Sequence, residues 1–115
     1  MSFGSFVSGL FKSSSIPAID HENFEKACKE GMCHVIDVRD PHEFAMGHIA
    51  AAKNLPLSKF DASLLPKDLP VVLVCQAGSR SARALQQAHA VGRTDVVHYA
   101  GGTSGWIGRG GSVER

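Results

Sequence analysis

The chain has 115 residues, 43% of them hydrophobic and 20% charged, with 12 Lys+Arg against 11 Asp+Glu. That length provides for one domain around one core, and a net charge of +1 argues against an electrostatic nucleic-acid binder. No apolar run reaches the ~20 residues that span a bilayer, and the composition is too apolar for a disordered chain.

In chain order, residues 1–15 stand apart as an N-terminal arm. Phe3, Phe6, Val7, Leu10 and Phe11 share one face if the arm is helical. Gly4, Gly9 and the serines at 13–15 oppose that helix, since glycine costs about 1 kcal/mol relative to alanine within one. The arm is therefore expected to be disordered or a short amphipathic helix. Lys12 alone gives residues 1–12 little attraction to a membrane surface. With no cation ahead of its apolar residues, the start does not read as a secretion signal, and a reducing, cytoplasmic setting is expected.

The domain proper is expected at 16–115. Residues 16–19 read as a short strand, and Asp20 caps a helix that runs to about Glu30 and stops at Gly31. HVIDV at 34–38 is a buried strand by its β-branched residues. Pro41 opens a short helix ending near Gly47, residues 53–55 form a strand, and 58–65 a helix of about two turns. VVLV at 71–74 is the most strand-like run, 81–91 is an alanine-rich helix, 96–99 is the last strand, and a helical turn surrounds Trp106. Five short strands alternating with helices predict an α/β fold on a mainly parallel five-stranded sheet, whose sites lie beyond the strands' carboxyl ends.

Beyond the most apolar strand stands Cys75. It begins the run Cys75, Gln76, Ala77, Gly78, Ser79, Arg80, Ser81, set between strand and helix. Gly78 allows the loop to curl until its N–H groups converge, and the helix behind adds about half a positive charge at its N-terminus. A thiol in that concavity ionises easily, and Arg80 is a fixed cation suited to a sulfonate, sulfate or phosphate group. The bland alternative is a small hydrophobe ending a buried strand; the Gly, Ser and Arg residues around it favour the reactive reading. Cys28 and Cys33 have no such surroundings, lack a C-x-x-C spacing, and would act as resolving thiols only near Cys75. The six histidines are scattered without metal-ligand spacing, so no metal is expected.

Three ordered motifs make residues 17–110 resemble the single-domain rhodanese sulfurtransferases. They are CQAGSRS, the segment VIDVRDPHEF with Gly47-His48-Ile49, and AGGTSGW at 100–106. The resemblance implies a rhodanese-like parallel sheet flanked by helices, with Cys75 accepting sulfur from a donor such as thiosulfate. The resulting persulfide passes its sulfur to cyanide, a thiol or a protein, with no cofactor. Gln76, Ala77, Gly78, Ser79 and Arg80 would form the substrate loop, supported by Asp37, Arg39 and Ser81; Glu43, His48 and Trp106 read as fold-supporting. The chain departs from the family at Ala50-Ala51, where Pro-Gly is frequent, and in its glycine-rich segment at 108–111.

Two rival readings use the same residues. A cysteine phosphatase or arsenate reductase needs a wider ring of donors, and such phosphatase loops have five residues between Cys and Arg where this chain has four. A non-catalytic sulfur carrier or docking module would need the same persulfide and a protein partner.

Overall fold

The computed structural model describes residues 16–115, so the expected arm lies outside the described residues. In chain order the elements are α1 (His21–Lys29), β1 (His34–Asp37), α2 (Pro41–Met46), β2 (His48–Ile49) and β3 (Lys53–Asn54). After them come β4 (Val71–Val74), α3 (Ser79–Ala90), β5 (Val96–His98), α4 (Gly102–Gly108) and β6 (Val113–Glu114). No helix among the described residues is long and apolar enough to cross a membrane.

β4, buried at all four positions, takes an inner place in a parallel sheet ordered β3-β1-β4-β5. Its continuous run of apolar residues reflects the cover on both its faces. One face carries Phe24 of α1 with Val72, Val74, Tyr99 and Trp106; the other carries Leu73 and Cys75 with Ala84, Leu85 and Ala88 of α3. The register Asp37↔Val74 brings the carboxyl ends of β1 and β4 level, so the loops leaving the two strands meet at one edge.

The expected α/β architecture on a mainly parallel sheet is present, but its fifth sheet position is contracted. The strand expected at 16–19 makes a single parallel bridge, Ala18 to His98. Ile19 N donates to His98 O at 3.0 Å and His98 N to Pro17 O at 3.2 Å. Pro17 has no N–H to extend the ladder, and Asp20 is already committed to capping α1 by accepting from Asn23 N.

Three further differences have local causes. The helix expected at 58–65 is two 3-10 turns, Leu57–Lys59 and Ala62–Leu64, because Asp61 is extended and its side chain accepts from Ser63 N. The alanine-rich helix begins at Ser79, two residues earlier than expected, since Gly78 in a left-handed conformation serves as its N-cap. A short antiparallel ribbon, β2 with β6, was unforeseen; it pairs His48 with Glu114 and Ile49 with Val113. α1 ends as expected at Gly31, where Met32 N donates to Ala27 O and Gly31 N to Cys28 O, the two bonds of a Schellman motif.

Candidate active site

Cys75 directly succeeds β4 and is 1% exposed. The chain leaves the strand, turns through Gln76 and Ala77, and enters α3 at Gly78, where φ is +107°. A side chain at Gly78 would bring its Cβ to 2.7 Å from the Ala100 carbonyl, so conformation and space both require glycine. The turn aims Gly78 N at the Cys75 Sγ, 3.0 Å away. Ser81, fully buried in the first turn of α3, places its Oγ 3.6 Å from the same sulfur.

These contacts set the chemistry of the thiol. Burial pushes the Cys75 thiol up, but the Ser81 hydroxyl and the amides of Ser81, Gly78 and Ala77 outweigh it and hold the thiol below its ordinary 9.0. Hydrogen bonds to the charged form are the cause. The site thus stabilises the thiolate form through fixed donors.

Two neighbouring segments brace the loop. From one side, Thr103 N donates to Cys75 O at 2.8 Å and Ser104 N to Gln76 O at 3.2 Å. This needs Gly102 at φ +66°, where a Cβ would collide with the Gln76 carbonyl oxygen. The Thr103 hydroxyl, among the described residues, is the one buried side-chain oxygen without a hydrogen-bond partner. From the other side, Arg39, 4% exposed, donates through Nε and Nη2 to the Asp37 carboxylate, through Nη1 to Gln76 Oε1 at 3.1 Å and through Nη2 to Gly47 O at 2.7 Å. Gln76 Nε2 passes the chain on to Ser104 Oγ at 2.6 Å. Asp37 and Arg39 therefore reach the loop through Gln76.

Arg80 closes the loop and has a partner that the sequence did not show. It lies in α3, and its guanidinium forms a two-pronged pair with Glu43 of α2, at 2.7 and 3.2 Å. The pair holds the Glu43 carboxyl down to about 2, chiefly through the Arg80 hydrogen bond. The cation closest in sequence to the loop is thus already matched by an anion. Ala77 and Ser79 form the exposed rim.

His48 stacks on Phe44 at 3.7 Å and hydrogen-bonds the Phe44 carbonyl, and Trp106 is a buried anchor whose Nε1 donates to Ser112 O. Cys28 and Cys33 pack together against the opposite face of the sheet from Cys75. The hydrogen bond between them pushes the Cys28 thiol up and holds Cys33 down. The structure does not bring either of them to Cys75.

Sequence reasoning missed His98, whose Nδ1 lies 2.8 Å from Ser81 Oγ. Strand alternation was the available signal, since it puts His98 on the face of Val96, toward α3. Asn54 was also missed; its side-chain amide donates to the Asp37 and Arg39 carbonyls and fixes the turn between them.

Comparison with known proteins identifies the family of the fold. The model of the Rhodanese-like domain matches residues 20–109. An uncharacterized protein of Bacillus subtilis, YqhL, is 34% identical over 90% of this chain and 82% of its own. The thiosulfate sulfurtransferase GlpE of Pseudomonas aeruginosa is 32% identical over 68% of this chain and 73% of its own. The solved structure of a human single-domain sulfurtransferase, TSTD1, superposes with a TM-score of 0.72 at 27% identity, covering 83% of this chain and 98% of that one. Other curated relatives are longer, and the chain spans 41% of one and 19% of another.

Proposed function

The chain belongs to the rhodanese-like domain family, and from that premise we propose that it is a sulfurtransferase working through a Cys75 persulfide. The observation that carries the reading is the Cys75 sulfur itself, buried, taking the Gly78 amide at 3.0 Å and held toward the thiolate. The thiolate attacks the outer sulfur of a donor R–S–S⁻ or thiosulfate. A Cys75 S–S bond forms, the donor's S–S bond breaks, and the donor leaves as thiolate or sulfite. An acceptor nucleophile, such as cyanide, a thiol or a protein cysteine, then takes the outer sulfur and returns the Cys75 thiolate. Electrons balance within each displacement, so no cofactor is needed. The Gly78, Ala77 and Ser81 donors serve both anions, thiolate and persulfide, which is electrostatic stabilisation by preorganised dipoles. A terminal sulfur is one atom wide and suits a thiol that is 1% exposed.

A second reading concerns the donor. Because Arg80 is paired with Glu43, the loop offers a small dianion little net charge. This favours a thiol-borne persulfide, including one on a protein partner, over free thiosulfate as the efficient donor. A reducing, cytoplasmic setting suits a chain whose cysteines Cys28, Cys33 and Cys75 are all free.

Intact mass of the reduced protein, before and after thiosulfate or a small persulfide and then after cyanide, tests both readings. The expected result is one added sulfur mapped to Cys75, discharged by cyanide and lost in Cys75→Ser. Reversal separates it from a sulfinic acid of nearly equal mass. Loading that survives Cys75→Ser, or no loading of the folded wild type by either donor, overturns the assignment.

A further inference from the structure

Ser81 stands where three groups converge, and its hydroxyl has one proton to share among them. Within reach of its Oγ are the Cys75 Sγ at 3.6 Å, the Gly78 carbonyl at 3.1 Å and His98 Nδ1 at 2.8 Å. The carbonyl can only accept. With the Ser81 proton directed at the Gly78 carbonyl, 3.1 Å away, an Oγ lone pair is left to face His98 Nδ1. In that arrangement the contact at 2.8 Å is made by His98 donating from Nδ1.

The surroundings of His98 keep its ring uncharged. The ring is 4% exposed, and burial holds its pKa below the ordinary 6.5, so it is neutral at physiological pH. The Gly78 carbonyl also accepts the Ala82 amide at 3.1 Å, and so keeps a partner when Ser81 turns away from it.

We propose that His98 is a positioning residue for the Cys75 thiolate: its Nδ1–H, donated to Ser81 Oγ, leaves the hydroxyl proton free to swing from the Gly78 carbonyl to the sulfur as the thiol ionises. The step moves no electrons. Cys75 gives its proton to solvent, and the Ser81 O–H rotates onto the sulfur anion. The accepted bond from His98 polarises the hydroxyl and makes it a stronger donor.

The other charged groups on the packed elements are committed elsewhere. On α3, Arg80 is held by Glu43, Arg83 is exposed, and His89 is engaged with the Val96 carbonyl. Beyond β1, Arg39 is held by Asp37; β4 and α4 carry no titratable side chain. The inference rests on Cys75 as the nucleophile of the proposed function, but not on any particular sulfur donor.

The test is the pH dependence of Cys75 alkylation by iodoacetamide, read on the Cys75 peptide by mass spectrometry. His98→Leu is expected to move the midpoint up by about one pH unit, roughly tenfold in rate below the midpoint. His98→Asn, whose amide nitrogen sits near the lost Nδ1, restores most of the shift. Ser81→Ala shifts the midpoint at least as far, and His98→Leu added to it moves it no further. Long-range ¹⁵N–¹H NMR on the wild type is expected to find the proton on Nδ1, whether or not the variants fold. A proton on Nε2, an unmoved midpoint in folded His98→Leu, or an Asn variant shifted as far as Leu each overturns the proposal. Sulfur loading with unmoved midpoints defeats this inference alone; shifted midpoints without loading defeat the sulfurtransferase reading alone.

Discussion

Glu43 decides how much of the Arg80 charge the loop can use. The two side chains are 26% and 30% exposed and meet at 2.7 Å. An ion pair this open is worth about 0.5–1 kcal/mol, so Glu43→Gln is expected to lower stability by no more than that in urea unfolding. Its functional effect has the opposite sign. Releasing the guanidinium raises the local positive potential, and kcat/KM with dianionic thiosulfate is expected to increase roughly three- to tenfold, while the rate with a singly charged persulfide donor rises less. An unchanged thiosulfate rate would mean that Arg80 does not act on the donor. Arg39 is the contrasting case: it is buried, its carboxylate partner is two residues away, and its remaining donors go to Gln76 and Gly47, so its charge serves to hold the loop.

At the scale of elements, Ala51 marks a local tension. It lies just past β2 with φ at +70°, the one described non-glycine residue in the left-handed region. It stands where the family often has glycine, so the departure noted in the sequence has a conformational consequence. Relief of about 1–2 kcal/mol of strain, less the extra freedom glycine has when unfolded, makes Ala51→Gly stabilising by about 1 kcal/mol. Chemical denaturation measures it; a destabilised variant would show that the turn tolerates alanine without strain. Elements with strong end signals were legible in the sequence: Asp20 and Gly31 bracket α1, and VVLV could only be a buried strand. The β2–β6 ribbon was not legible, because strands of two residues are too short to show a period. The site divides in the same way. Cys75 and its loop are contiguous, and were readable. The partners of Arg80 and Ser81, Glu43 and His98, lie on other elements and are joined only by the fold.

For the whole molecule, two of these groups shape stability against pH. Buried His98 has a folded pKa below 6.5, so under that pH the unfolded chain binds the extra proton and stability falls as pH drops. Glu43 is held at about 2 against an ordinary 4.5; its contribution is whole above 4.5 and is lost as pH falls toward 2. Equilibrium unfolding across this range is expected to weaken first below 6.5, a phase absent in His98→Asn. A second decline below 4.5 is expected to be smaller in Glu43→Gln. Stability that stays flat through the first window would place a charged His98 in the native state.

The brace from α4 to the Cys75 loop also has an optical consequence. The chain contains one tryptophan, and it is Trp106, buried on the same short helix whose amides hold Cys75 O and Gln76 O. Indole emission from the folded protein therefore reports on a single place, the seating of α4 behind the reactive loop. Gly102→Ala, which would drive a Cβ into the Gln76 carbonyl, is expected to shift that emission to the red with the far-UV circular dichroism preserved. Light from one ring would then register a displacement at the sulfur it never touches.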